Sequence, residues 1–164
     1  MIWTILATGP SLTLAQADSA YAAGKVIAIS DAVRLAPWAN ALVSSDAAWW
    51  AFHKPKFGGR RFSAAKVEGA EQLEGVPSGT NSGALAIRVA RHLGATRIHL
   101  FGYDGHGSHF FGPHPAGLKN TTESQRLVHA EQLRQEIAAC RRDGIEIVNK
   151  TPDSAWRCFD LVAA

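Results

Sequence analysis

The sequence lacks the features that mark membrane, secreted and metal-rich proteins. Among its 164 residues, no apolar run approaches the ~20 residues needed to cross a bilayer. The apolar N-terminus has no basic segment before it and no small-residue cleavage site after it, so it predicts a first strand rather than an export signal. The two cysteines, Cys140 and Cys158, give neither a disulfide framework nor metal-ligand spacing. We therefore expect a reduced, cytoplasmic protein.

The net charge is small. Its formal value is +3, and the basic residues are scattered with no long basic run. This distribution argues against a dedicated nucleic-acid binder but allows an anionic small molecule as ligand. The sequence has no internal repeat, low-complexity tract or linker, and its length predicts one domain over 1–164.

Short apolar runs alternate with helical segments along the chain. The predicted strands cover 3–7, 26–30, 41–44, 61–67, 97–103 and 145–149, and the predicted helices cover 14–23, 47–54, 82–93 and 124–142. Apolar strands that alternate with helices are typical of a parallel sheet covered on both faces. We predict an α/β, Rossmann-like single domain with a mostly parallel sheet. In its last helix, Leu127 and Leu133 belong to the predicted apolar face.

Polar residues follow the predicted strands at the points where the strands end. They are Gly9-Pro10-Ser11, Asp31, Asp46, Asp104 and Ser154. Each alone is also typical of a helix cap or turn. Parallel strands bring their carboxyl ends to one edge of the sheet, where open α/β folds bind ligands. The sequence therefore predicts that these residues converge on one binding site.

Two turns carry the predicted ligand contacts. Gly9-Pro10-Ser11 predicts free backbone N–H groups at a helix start, which suit a phosphate, although a plain strand-to-helix turn explains it equally well. It has neither the full dinucleotide fingerprint nor the lysine of a P-loop. Asn81, Ser82 and Gly83 open the helix at 82–93, either as ligand contacts or simply as its N-cap.

The loop from Gly105 to Asn120 holds three closely spaced histidines, His106, His109 and His114, directly after Asp104. Histidine titrates near neutral pH and suits general acid or base catalysis, for which His109, His114 and Asp104 are the candidates. A histidine and aspartate metal site is the alternative, and ordinary surface polarity is a third. The remaining histidines, His53, His92, His99 and His129, lie on predicted regular elements and receive no catalytic role.

The chain resembles two related groups of Rossmann-like proteins. The similarity lies in Gly9-Pro10-Ser11-Leu12, in Ser82-Gly83 opening an apolar helix, in the strand ending Phe101-Gly102-Tyr103-Asp104, and in Thr151-Pro152-Asp153-Ser154. One group is the single-domain bacterial sialyltransferases that use CMP-sialic acid. The other is the MptE-like group, which includes 6-hydroxymethylpterin pyrophosphokinases and motility accessory factors. The segment Asp46-Ala47-Ala48-Trp49-Trp50 and the loop 109–120 also resemble small phage and prophage proteins.

The resemblance implies a transferase that uses a nucleotide-activated donor, by glycosyl or diphosphoryl transfer. It implies that Gly9, Pro10 and Ser11 face the donor's phosphates, while Asn81, Ser82 and Gly83 contact the nucleoside and Asp104 borders the pocket. Asp31 and Ser154 complete the predicted nucleotide site. Asp31, Asp46 and Asp104 are candidate Mg²⁺ ligands, since Mg²⁺ prefers a few carboxylates with phosphate oxygens and water.

Two other functions stay open at this point. One is a non-catalytic phage or prophage protein that sequesters a nucleotide-type ligand, in keeping with the small size of the chain. The other is a metal-dependent hydrolase that uses the aspartate and histidines of residues 104–114. The tryptophans and the apolar helix at 82–93 permit a homodimer without requiring one.

Overall fold

A computed structural model describes residues 1–161, with side chains through Phe159; residues 162–164 of the predicted 1–164 domain lie outside the described residues. The strands are β1 (Ile2–Leu6), β2 (Lys25–Ile29), β3 (Ala41–Val43), β4 (Arg60–Phe62), β5 (Arg97–Phe101), β6 (Glu146–Asn149) and β7 (Asp160–Leu161). The α-helices are α1 (Leu14–Ala23), α2 (Ala47–His53), α3 (Ser82–His92) and α4 (Glu123–Arg142), and a 3₁₀ helix covers Ser30–Arg34. None of these helices is both long and apolar enough to span a bilayer.

The seven strands form one sheet in the order β4-β3-β2-β1-β5-β6-β7, and every neighbouring pair is parallel. The chain first builds outward from β1 to β4, then returns across the sheet so that β5 lies on the other side of β1. The reversal makes the carboxyl ends of β1 and β5 the topological switch point, where open α/β sheets bind ligands. The predicted α/β Rossmann-like fold is confirmed.

The helix starts are set by local side-chain caps. Thr13 and Thr122 each form a reciprocal capping box with the glutamine three residues later, at the starts of α1 and α4. Asp46 caps α2 through the N–H of Ala48, and Asn81 caps α3 through the N–H of Ala84. These caps fix where each helix begins relative to the strand before it, and thereby the shape of the sheet edge.

Two apolar cores lie on the two faces of the sheet. One joins α3 and α4 to the sheet and includes Leu85, Ile87 and Ile137. The other joins α1 and the tryptophans of α2 to the opposite face and includes Ala17 and Trp49. Helix α3 buries six of its eleven residues, as expected for a helix that is apolar almost all round. The predicted cover of helices on both faces is therefore confirmed.

One prediction about α4 is wrong. Leu127 was expected on the buried face, but its side chain is 74% exposed and Val128 is 56% exposed. The buried residues of α4 begin at Leu133, because only the second half of the helix lies over the sheet and α3. The first half extends beyond the sheet edge and lines the cavity described below.

This division of α4 predicts a contrast in stability. Leu133→Ala removes a fully packed side chain and should lower the free energy of unfolding by about 2–4 kcal/mol. The matched variant Leu127→Ala should change it by less than about 0.5 kcal/mol. Urea denaturation followed by circular dichroism measures both. Equal losses for the two variants would contradict the described position of α4.

Candidate functional site

A cavity of about 1000 Å³ lies at the carboxyl edge of the sheet. It spans the switch point, because its wall includes the exits of β1 (Ala7 to Gly9) and β5 (Gly102 to Asp104). The start of α3, the loop 105–109 and the first half of α4 complete the wall. This volume is at the upper end of the range that binds a drug-sized ligand.

The exits of β1 and β5 are packed against each other without spare space. The Gly9 N–H donates to the Gly102 carbonyl at 3.0 Å, and a Cβ on Gly9 would lie 1.9 Å from Asp104 Oδ2. The Ser11 N–H and hydroxyl donate to the two carboxylate oxygens of Asp104, at 3.2 and 3.0 Å. Pro10 has no N–H and packs against Gly107 of the loop.

The expectation of free N–H groups at Gly9-Pro10-Ser11 is therefore wrong. The donors of Gly9 and Ser11 are both used within the protein, and Asp104 holds the position where an anion would otherwise meet Ser11. Asp104 is 3% exposed, and burial raises its pKa while the bonds from Ser11 oppose that rise. Gly9 and Asp104 line the cavity, whereas Pro10 and Ser11 do not.

The three candidate Mg²⁺ ligands do not form a metal site. Asp31 is 3% exposed and accepts a 2.8 Å bond from Trp49 Nε1, Asp46 caps α2, and Asp104 holds Ser11. Across residues 1–159, no three His, Cys, Asp or Glu side chains are grouped as metal ligands. These residues do not fit an all-protein magnesium or zinc site.

The start of α3 has both occupied and free hydrogen-bonding groups. Both ends of the Asn81 amide are used within the protein: its Oδ1 accepts from the Ala84 N–H, and its Nδ2 donates to Gln132 Oε1 at 2.6 Å. The Ser82 hydroxyl accepts from the Ser45 N–H at 2.9 Å. In the described structure the N–H groups of Ser82 and Gly83 have no hydrogen-bond partner. The free donors of this turn are thus backbone N–H groups at the positive end of a helix.

Ser154 does not line the cavity. It is completely buried, and its hydroxyl donates to the Tyr103 carbonyl at 2.6 Å and accepts from Asn149 Nδ2 at 3.0 Å. These bonds tie the turn after β6 to the exit of β5. Ser154 therefore stabilises the cavity wall from inside the protein. Contrary to the prediction from the sequence, it is not positioned to contact a nucleotide in this cavity.

His109 and His114 lie together in the cavity wall. Their ring centroids are 4.3 Å apart, and His109 also stacks on Phe111 at 4.9 Å with an angle of 9° between the rings. His109 Nδ1 lies 3.2 Å from the Gly112 carbonyl, which only accepts, so the neutral ring carries its proton on Nδ1. Nε2 then keeps a free lone pair. Burial first, and the neighbouring His114 second, lower the pKa of His109, which favours this neutral form.

The histidine loop is tied to the sheet edge at several points. The Phe110 N–H donates to the Thr8 carbonyl at 2.9 Å, next to the exit of β1. His106 Nε2 lies 3.2 Å from the Asp153 carbonyl, and Arg126 of α4 donates to the Gly107 carbonyl at 2.6 Å. These ties hold His109 beside the switch point rather than in solvent.

Several wall residues had no predicted role. His129 and Arg126 of α4 line the cavity, as do Lys119 and Trp156. Burial lowers the pKa of His129, so it too tends to be neutral. The sequence of α4 has an amphipathic pattern typical of core packing along its whole length. That pattern does not show that the first half of the helix faces the cavity. The cationic side chains of Lys119 and Arg126 make this side of the wall suitable for an anion.

No family model and no curated protein matches the sequence. Among solved structures, a thiamin pyrophosphokinase from Geobacillus thermodenitrificans is similar, with a TM-score of 0.48, 13% identity, and coverage of 90% of this chain and 58% of that one. A probable thiamine pyrophosphokinase from Staphylococcus saprophyticus subsp. saprophyticus has a TM-score of 0.48 and 13% identity, with coverage of 93% and 65%. The chain thus spans about three fifths of the length of these two proteins.

Proposed function

We propose that the protein is a nucleotide-dependent transferase that moves a glycosyl or diphosphoryl group from a nucleotide-activated donor to an acceptor hydroxyl. The observation that carries the proposal is the composition of the switch-point cavity. Unpaired N–H groups of α3 and a neutral histidine with a free Nε2 line the same space. Donor binding and proton removal are the two tasks that such a transfer requires.

In this proposal the donor's phosphates bind at the start of α3. The N–H groups of Ser82 and Gly83 lie there at the positive end of an eleven-residue helix, which stabilises negative charge. The turn Gly9-Pro10-Ser11 is not used for this, since its donors are occupied. Lys119 and Arg126 add positive charge to the wall and favour departure of an anionic leaving group.

His109 is the proposed general base for the acceptor hydroxyl. Its Nδ1–H is held by the Gly112 carbonyl, so the ring presents Nε2 as the acceptor of a proton. His109 is preferred over its neighbour His114 because His114 Nδ1 is buried without a hydrogen-bond partner among the described residues, so no contact fixes its tautomer. The resemblance to the sialyltransferase and MptE-like groups supports the same class of donor. Identification with either group stays a prediction, as does Mg²⁺ carried in with the donor's phosphates.

A binding experiment tests the proposal. Titration calorimetry would use a panel of nucleoside mono-, di- and triphosphates and nucleotide sugars, with and without Mg²⁺. Ser108 is an exposed residue of the cavity wall, and Ser108→Trp should weaken binding of the selected nucleotide about tenfold or more by filling the space. The matched control is Ser19→Trp on α1, an exposed position outside the cavity, which should bind normally.

The outcomes separate the candidate functions. No binding across the panel, or equal binding by both tryptophan variants, would remove the proposal. Binding without turnover in the presence of hydroxyl-bearing acceptors, unaffected by His109→Ala and His114→Ala, would instead favour a protein that sequesters its ligand.

A further inference from the structure

Arg34, in the 3₁₀ helix after β2, contacts the histidine loop. The guanidinium of Arg34 lies 5.3 Å from the ring centroid of Phe111 and 5.9 Å from that of Phe110. Both distances fall within the range of cation–π attraction. Arg34 Nη1 also lies 4.0 Å from Asp31 Oδ1, so the buried carboxylate helps to orient the guanidinium. Arg34 itself does not line the cavity.

Phe111, which Arg34 contacts, also stacks on His109. The two rings are nearly parallel, 9° apart in plane and 4.9 Å between centroids. His109 is therefore held by the stack on Phe111, the bond from Nδ1 to the Gly112 carbonyl and the contact with the His114 ring. These contacts all lie within the loop, and Arg34 contacts Phe111 from the 3₁₀ helix after β2.

We propose that Arg34 and Phe111 are positioning residues for His109, which set the orientation and tautomer of its ring at the cavity wall. The functional part of this inference rests on the proposed role of His109 as a base. Its physical part, that the state of the His109 ring depends on Arg34 and Phe111, stands without that role. A base must be held within a fraction of an ångström to transfer a proton efficiently.

The groups around His109 predict the direction in which its protonation midpoint should move in the variants. Burial and His114 disfavour protonation of His109, whereas the Gly112 carbonyl and Asp31 favour it. Arg34→Gln removes the positive charge that lies 4.0 Å from Asp31, so the Asp31 carboxylate should favour protonation of His109 more strongly. Phe111→Leu removes the aromatic stack that shields the ring from water. Both changes should therefore move the protonation midpoint of His109 upward.

Nitrogen-15 NMR of the full-length protein labelled at histidine measures this directly. The ring nitrogen shifts of His109 report its midpoint and which nitrogen carries the proton. In Arg34→Gln and Phe111→Leu we expect an upward midpoint and loss of the pure Nδ1–H form. Phe111→Tyr keeps the aromatic stack, so the midpoint and the tautomer of His109 should stay as in the wild type. Arg34 is 58% exposed, so Arg34→Gln should fold, and the amide spectrum checks this.

The control is Arg60→Gln. Arg60 makes the same kind of contact, 4.8 Å from the Phe62 ring centroid, at an exposed position on β4 outside the cavity. It should leave the His109 signals unchanged. Unchanged His109 signals in Arg34→Gln and Phe111→Leu would overturn the inference, and a change in one variant alone would remove the other residue from it.

Activity provides a separate readout. If the proposed function is correct, Phe111→Leu should lower turnover about five- to tenfold while KM changes less than about twofold, because orientation rather than binding is lost. A protein that binds no nucleotide would defeat the proposed function yet leave the NMR result intact. Failure of the two ideas can therefore be told apart.

Discussion

Gly9→Ala should leave little folded protein. A Cβ at this position would lie 1.9 Å from Asp104 Oδ2 and 2.3 Å from the Gly102 carbonyl oxygen, and the second of these atoms is backbone. Relief would require the exits of β1 and β5 to separate, with loss of the Gly9–Gly102 bond and of the two bonds from Ser11 to Asp104. We expect a loss of about 4 kcal/mol or more, a large share of a typical domain's stability.

Two variants sharpen this prediction. Gly58→Ala is the matched control, since its Cβ would meet no atom within 4 Å, and it should change the free energy of unfolding by less than about 0.5 kcal/mol. The double variant Gly9→Ala with Asp104→Ala should recover little, because the Gly102 carbonyl still lies 2.3 Å away. Soluble yield and urea denaturation measure all three proteins. Equal stability of Gly9→Ala and Gly58→Ala would show that the two strand exits are not packed as described.

Much of this architecture could be predicted from the sequence. The alternation of apolar strands with helices predicts a parallel sheet, and parallel strands place Gly9, Asp104 and the start of α3 at one edge. The position of His109 near this edge follows from its nearness in sequence to the end of β5. These inferences depend on local patterns, because each pattern is set by residues within one element or one loop.

The hydrogen bonds that use up the predicted polar groups could not be predicted. Ser11 and Asp104 are 93 positions apart, Asn81 and Gln132 are 51 apart, and Asp31 and Trp49 are 18 apart. Each pair forms only after β1, β5 and the helices have packed. A polar residue at a strand end therefore predicts where the edge is, but not whether its donors remain free for a ligand.

This distinction identifies the groups that can still act on a ligand. Asp31, Asp104 and Ser154 stabilise the edge of the sheet through their bonds, because a buried polar group without a partner costs about 1–3 kcal/mol, and Asn81 does so as the cap of α3. The described wall groups that remain able to bind a ligand include the N–H groups at the start of α3, the histidine rings and the Lys119 ammonium. His109 lies near the switch point and keeps a free Nε2, so it is the side chain whose loss should lower turnover most.

His109→Gln should lower turnover about 10²- to 10⁴-fold while nucleotide affinity changes little, because a general base contributes by that factor and His109 is not placed at the donor's phosphates. The variant keeps a polar side chain in the loop. Donor consumption followed by phosphorus-31 NMR, with a panel of hydroxyl-bearing acceptors, measures the rate, and calorimetry measures the affinity. His92→Gln is the control, since His92 is exposed on α3 outside this cavity. His114→Gln should have a smaller effect than His109→Gln.

The pH dependence of turnover provides an independent check on His109. A general base acts in its neutral form, so turnover should fall as the pH drops through the pKa of His109. Burial and the neighbouring His114 lower that pKa from the ordinary histidine value of 6.5, so the acid limb of kcat/KM, which reports the free enzyme, should lie below 6.5 in the wild type. In His109→Gln the residual activity should lose this limb. An acid limb that persists unchanged in the variant would assign it to another group and would contradict the role of His109 as the base.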